Sequence, residues 1–284
     1  MKATQEKEAD LGNSSIGKLL FKLALPAILA QIINVMYNMV DRMYIGHIAD
    51  VGPSALTGVG VTMPLIMAIS AFAALVSMGG APRASIMMGK GDKETAEKIL
   101  GNCTTMLVLM AAVLTAVILL FGKPILLMFG ASDNTIGYAW DYMSIYAMGT
   151  IFVQISLGLN AFINAQGYAR TGMLTVAIGA VCNIILDPIL IFGLDMGVKG
   201  AALATILSQA VSFVWVLRFL TSGKSFLRIR KGYLKLSADI ILPCIGLGVS
   251  PFIMQFINNK WQDSSHNKTY KKYHLVSMSL IFRN

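Results

Sequence analysis

The chain has 284 residues, of which 56% are hydrophobic and 13% charged, and its mean hydropathy is +0.67. This composition excludes an ordinary soluble domain and indicates an integral membrane protein. The formal net charge of +9 would suit a nucleic-acid partner, but the basic residues lie at the ends of apolar runs and not on one amphipathic face. We therefore expect the lipid bilayer as the partner, and no nucleic acid.

Six apolar runs of membrane-spanning length dominate the sequence after a polar segment, residues 1–15. Short turns rich in glycine and proline separate the runs. They cover residues 19–44, 56–78, 104–121, 142–163, 173–192 and 200–220. The sequence thus predicts an all-α membrane protein in which residues 16–221 form a six-helix transmembrane bundle.

Lys and Arg residues are distributed unevenly between the two ends of these runs. One end carries fifteen of them, whereas the other has only Arg42, Lys123 and Lys199. By the positive-inside rule, this asymmetry predicts a multi-pass protein of the plasma (inner) membrane, with the N-terminus 1–15 and the basic loop 222–237 in the cytoplasm.

The segment before the third run contains four charged residues at helical spacing, Lys93, Glu94, Glu97 and Lys98. Residues three or four positions apart meet on one face of a helix, so ion pairs are expected between them. The pattern predicts a solvated surface helix.

A seventh apolar run begins near Ile240, and residues 238–256 are predicted to be a partial seventh span. Residues 257–284 are polar, carry five Lys or Arg and one Asp, and lack helical periodicity. We interpret 257–284 as an aberrant tail, the product of a frameshift or premature end of a longer chain. A native polar tail is the alternative.

Asp187 is an acid embedded in the fifth run, with Asn183 one turn earlier on the same face. A carboxylate at such a depth costs at least about 2.5 kcal/mol, so it is expected to face a cavity or a partner. Pro188 should bend the helix and free backbone carbonyls beside the acid. The combination predicts a polar pocket, the alternative being an acid that only holds the bundle together.

The first run carries polar residues at helical spacing along one stripe, namely Gln31, Asn34, Asn38 and Asp41. Such a stripe suits a water-accessible cleft, although hydrogen bonds between helices would also explain the amides. Asp41 lies near the end of its run, where an ion pair with Arg42 is the structural alternative.

Motifs in four of the runs together resemble one transporter family. They are Tyr37-Asn38 with Val40-Asp41, Leu159-Asn160-Ala161 through Gln166-Gly167, Asn183 through Leu186-Asp187-Pro188 with Ile191-Phe192-Gly193, and Gly200-Ala201-Ala202-Leu203-Ala204-Thr205. Residues 14–256 thereby resemble the N-terminal half of a MATE (multidrug and toxic compound extrusion) transporter of the DinF-like prokaryotic branch. That family has twelve spans in two six-helix lobes, so this chain would lack the second lobe.

The resemblance implies a cation-coupled antiporter that exports drugs or organic cations, without enzymatic activity and without a cofactor other than the coupling ion, H⁺ or Na⁺. The implied cation site consists of Asp41, Asn183, Asp187 and Thr205, and the two carboxylates would also be ligands for Na⁺. The expected substrate cavity is lined by Gln31, Asn34, Tyr37, Asn38, Asn160 and Asn164, and the expected helix kinks are at Pro26 and Pro188.

Three alternatives remain at this point. The chain could be an inactive half-transporter or an interaction module that needs a second lobe or a homodimer partner to enclose a pathway. A flippase for lipid or polysaccharide precursors would share the fold. Two acids on separate spans are also the minimum for an intramembrane aspartyl protease, but Asp187 lacks the Gly-x-Gly-Asp context of those enzymes.

Overall fold

The computed structural model describes residues 16–49 and 51–262, and the side chains of 23–49 and 51–254. Within these ranges the chain forms eight α-helices and no strand. The helices are α1 (Ile16–Gly46), α2 (Gly52–Gly89), α3 (Lys93–Met128), α4 (Ile136–Met148), α5 (Thr150–Ala165), α6 (Ala169–Pro188), α7 (Gly197–Thr221) and α8 (Ala238–Gln262). The predicted all-α fold is confirmed.

Five of these helices are long and apolar enough to cross a membrane, and the number is six if the bent pair of α4 and α5 counts as one span. The two halves of the bent span meet at Gly149 at an angle of 60°. A Cβ atom on Gly149 would collide with the side chain of Ile206 on α7, so the break lies where α7 passes closest. The sequence predicted one continuous run here.

The predicted seventh span corresponds to α8, whose apolar part is Ala238–Met254. The helix continues to Gln262, six residues into the segment predicted as an aberrant tail. The rest of that tail, 263–284, and the predicted polar N-terminus, 1–15, lie outside the described residues.

Glycines allow α8 to pack tightly against α2. A Cβ on Gly79 would overlap the carbonyl of Cys244, and one on Gly248 would overlap the carbonyl of Leu75. Small residues at such points let two helix backbones approach closely, which is how helices associate in lipid. On the other flank of the bundle, α1 packs mainly against α6, and α6 against α7.

The charged segment before the third run is the beginning of α3 itself. Its predicted ion pair between Lys98 and Glu94 is confirmed at 2.8 Å. The prediction of a solvated helix is wrong for Glu97, which is only 2% exposed and pairs with Arg230 at 2.6 Å. The reason is that the basic loop 222–237 folds back onto this turn of α3.

Candidate functional site

Asp187 lies on the last turn of α6 and is completely buried. Asn183, one turn earlier and 1% exposed, donates a hydrogen bond from Nδ2 to Asp187 Oδ1 at 3.1 Å. Asp187 Oδ2 and Asn183 Oδ1 are both buried without a hydrogen-bond partner. Buried oxygens are normally satisfied, so these two free acceptors are candidates for binding an ion or a water molecule.

The backbone beside Asp187 is irregular. Pro188 ends α6, and a π-helical turn follows at Ile189–Gly193, closed by a bond from Leu194 N–H to the Ile189 carbonyl at 2.9 Å. Proline has no N–H, so the helical partner of the carbonyl four residues earlier is missing. The predicted disturbance at Pro188 therefore takes the form of a π turn, a feature often found at functional sites.

Asp41 on α1 is the second buried acid, 6% exposed, and its Oδ1 has no hydrogen-bond partner. The predicted alternative, an ion pair with Arg42, does not form, and Asp41 has no ion pair within the described part of the chain. The exposed Arg42 side chain instead points to the sulfur of Met63 at 3.5 Å, although its charge still acts on Asp41. Asp41 lies close enough to Asp187 for its charge to act on that carboxyl group.

Thr205 on α7 and Tyr142 on α4 complete the cluster. The two hydroxyl oxygens are 3.4 Å apart, and Thr205 also donates to the Ala201 carbonyl at 3.0 Å. Tyr142 is buried, stacks on Tyr146 with 6.2 Å between ring centroids, and is within electrostatic range of Asp41. Tyr142 was not among the predicted site residues; its signal in the sequence is a pair of tyrosines one turn apart in the fourth run.

The polar stripe of α1 runs along one face of the helix from the buried Asp41 toward the more exposed Gln31. Asn38 donates to the carbonyl and side-chain oxygens of Asn34 at 2.7 and 3.0 Å. Tyr37, Asn34 and Asn38 are half-buried and Gln31 is exposed, so exposure increases away from Asp41. Further along α1 lies the buried Pro26, inside the helix as predicted.

Asn160 and Asn164 are not part of this cluster. Asn160 donates to the Gly172 carbonyl at 3.2 Å, and the Asn164 side chain fills the space where a Cβ of Gly172 would lie. Gly172 is fifteen residues before Asp187 on α6, which corresponds to about 22 Å along a helix. The structure separates the two asparagines from the carboxylates, because their shared face packs against the other end of α6.

The cluster therefore contains oxygen donors from four helices, and no group of three or more His, Cys, Asp or Glu side chains lies together in the described residues. Two carboxylates, the free amide oxygen of Asn183 and the Thr205 hydroxyl are the kind of donor that binds H⁺ or a hard cation such as Na⁺. All of these donors are oxygens, and none is a soft ligand of the kind used in many transition-metal sites.

Comparison with known proteins places this geometry in a family. The MatE family model matches residues 26–189, more than half of the chain. The multidrug export protein MepA of Staphylococcus haemolyticus is 26% identical over 272 residues, covering 95% of this chain and 60% of MepA. The FAD transporter of Shewanella oneidensis is 26% identical over 204 residues, covering 70% and 44% of the two chains.

A solved structure of MATE in complex with MaD3S superposes with a TM-score of 0.78 at 25% identity, covering 84% of this chain and 53% of that one. The chain thus spans 44 to 60% of the length of these relatives. Hydrophobic spans, fold and family match agree. The chain belongs to the MATE family, whose members are multi-pass membrane transporters and not enzymes.

Proposed function

We propose that the protein is a cation-coupled antiporter that exports drugs or organic cations, and that Asp41 and Asp187 share its coupling ion, H⁺ or Na⁺. The observation that carries this proposal is the pair of buried carboxylates, each with an unpartnered oxygen and neither held in an ion pair within the described residues. Structural acids in a bundle would instead be neutralised by a basic neighbour.

Electrostatics makes this pair a cation receptor. Two charged carboxylates in a desolvated site repel each other and lack hydration, so uptake of a cation lowers the free energy of the pair. Asn183 can donate to Asp187 while its own carbonyl oxygen stays available to the ion. Thr205 offers a hydroxyl that can accept from a protonated acid or coordinate Na⁺.

Binding at this site has a route to a conformational change. Asp41 lies on α1 and Asp187 on α6, so a shared ion draws the two helices together, whereas its release leaves two repelling charges between them. Pro26 in α1 and the π turn after Pro188 are the points at which these helices can bend. The bend would alternate access to a cavity along the stripe of α1.

The substrate class is proposed from the relatives. The multidrug export protein MepA of Staphylococcus haemolyticus matches 95% of this chain, against 70% for the protein named as an FAD transporter, so we favour drugs and organic cations. The exposed end of the α1 stripe, with Gln31 and Asn34, would face a second lobe or a second copy of the chain. The DinF-like branch and the truncated or frameshifted origin of the chain remain predictions.

The rival functions are less well supported. An intramembrane protease has no support from the family match, and a precursor flippase has none from the named relatives. An inactive half-transporter or interaction module stays the alternative, because the chain covers 60% of the MepA relative.

Transport in inside-out vesicles from cells expressing this chain tests the proposal. Asp41→Asn and Asp187→Asn should each abolish uptake of a fluorescent organic cation driven by an H⁺ or Na⁺ gradient. Asp141→Asn is the matched control, since the Asp141 side chain is 43% exposed and pairs with Lys199 at 3.5 Å. Undiminished transport in both site variants would refute the site, and no transport by the wild type would favour the half-transporter.

A further inference from the structure

The basic loop 222–237 is held against the bundle by buried polar side chains. Gln166, at the end of α5, accepts hydrogen bonds from Ser225 Oγ at 2.9 Å and from Leu227 N–H at 2.8 Å. Glu97, on the second turn of α3, pairs with Arg230 and accepts from the Arg228 N–H at 3.4 Å. A loop that only joins two spans does not need such fixation.

The second half of the basic loop lies along α3. Asn102 accepts from the Ser237 N–H at 2.7 Å, and Thr105 donates to the Leu234 carbonyl at 2.6 Å. Gly101 lets the backbone of Tyr233 come so close that a Cβ would overlap it. The loop is therefore fixed to α3 over two turns of helix.

The length of α3 shows at which level of the membrane this contact lies. Its 36 residues extend about 54 Å, whereas the hydrocarbon core is about 30 Å thick. The beginning of α3 thus projects beyond the core, and its apolar run starts at residue 104. Because Thr105 holds Leu234, this part of the loop is at the boundary between acyl chains and headgroups.

The outward side of the loop carries charge at the same level. Residues 222–237 contain five Lys or Arg and no acid. Lys231 and Lys235 flank Leu234, are exposed, and form no ion pair within the described part of the chain. Between them Tyr233 is half-buried with Lys98 Nζ 5.8 Å from its ring centroid, and Leu236 is 37% exposed. Tyrosine at this depth is typical of membrane interfaces.

We propose that Lys231 and Lys235, fixed beside Tyr233 by the α3 contacts, bind the phosphate of an anionic phospholipid headgroup. If these lysines served only to set the membrane topology, their charge would be enough and the backbone of the loop would not need to be fixed. An anionic leaflet attracts basic side chains, and each such lysine should raise the affinity for the anionic lipid about fivefold. The fixation adds to this, because the loop loses no conformational entropy when the lipid binds.

The test measures lipid bound to the full chain, purified in detergent and incubated with phosphatidylglycerol or phosphatidylcholine. Native mass spectrometry counts the bound lipids, and thermal unfolding reports stabilisation. Lys231→Gln combined with Lys235→Gln is the test variant. Lys90→Gln with Lys123→Gln is the matched control, because Lys90 is in the turn between α2 and α3 and Lys123 is near the other end of α3, both away from the contact between the loop and α3.

The wild type and the control should retain phosphatidylglycerol in preference to phosphatidylcholine and gain thermal stability from it. The test variant should lose about 25-fold in phosphatidylglycerol affinity, with its unfolding temperature in phosphatidylcholine unchanged. Equal loss in both double variants, or no preference in the wild type, would overturn the proposal. Full displacement of the lipid by inorganic phosphate would show an anion site that does not recognise lipid, and would overturn it as well.

Discussion

Asn183 donates a hydrogen bond to Asp187 at 3.1 Å inside the bundle, and each of the two side chains keeps one buried oxygen without a partner. These two free oxygens are the acceptors that the proposed coupling ion would use. Because Asp187 lies on α6 and Asp41 on α1, the proposal makes the contact between these two helices depend on the ion.

Removing the Asn183 side chain should separate the two candidate coupling ions without unfolding the protein. Its hydrogen bond stabilises the charged carboxylate by about 1.5–3 kcal/mol, so Asn183→Ala should raise the apparent affinity for H⁺ at least tenfold, or about 1.4 kcal/mol, whereas the affinity for Na⁺ should fall because the ion loses the Asn183 carbonyl oxygen. The measurement is the dependence of transport on Na⁺ concentration and on pH. Thr57→Ala, which removes only an exposed hydrogen bond to the Pro53 carbonyl on α2, should leave that dependence unchanged.

Tyr142→Phe tests whether α4 contributes to the site. It removes the hydroxyl 3.4 Å from Thr205 and keeps the stacked ring, so we expect a fall of several-fold in coupled transport at wild-type expression. Tyr146→Phe leaves the contact with Thr205 in place and serves as the control. A loss confined to Tyr146→Phe would remove Tyr142 from the site.

The packing of α8 on α2 should depend on a single glycine. Gly248→Ala places a methyl group on the Leu75 carbonyl, and such overpacking costs about 1–3 kcal/mol, visible as a lower unfolding temperature. Gly246→Ala meets nothing within 4 Å and should be neutral or stabilising, because alanine favours helix. Equal unfolding temperatures for the two variants would contradict the close contact of α2 and α8.

Glu97→Gln should release the basic loop. Loss of the buried charge breaks the pair with Arg230, and a bond to a charged group of about 1.5–3 kcal/mol corresponds to at least a tenfold increase in local opening. Limited trypsin digestion should then cut after Arg228, Arg230 or Lys231 at least about tenfold faster. Glu94→Gln removes only an exposed ion pair, so trypsin should cut this variant at the wild-type rate.

Hydrophobicity alone predicted the spans correctly, since the six apolar runs correspond to α1–α7. The break between α4 and α5 at Gly149 was not predicted, because it changes neither the composition nor the hydropathy of the run. It lies where the Ile206 side chain of α7 packs against Gly149, a contact that only the structure shows. Glu97 looked solvated because it lies just before an apolar run, and only the folded loop shows that it is buried.

The site illustrates the same limit. Periodicity on α1 and α6 identified Asp41 and Asp187, because acids in apolar runs are rare and costly. Periodicity on α5 correctly put Asn160 and Asn164 on one face, but a single helix does not reveal which part of its neighbour that face meets. Here it meets Gly172, about 22 Å from Asp187 along α6.

Infrared difference spectroscopy of the purified protein during a pH change tests the shared site most directly, because it detects protonated carboxyl groups in the bundle. If the two acids share an ion, Asp187→Asn should remove one carboxyl band and shift the pH at which the Asp41 band changes. Asp41→Asn should likewise remove one band and shift the pH at which the Asp187 band changes. Asp141→Asn should alter neither band. Two bands that titrate independently, each unaffected when the other acid is replaced, would contradict a common ion site.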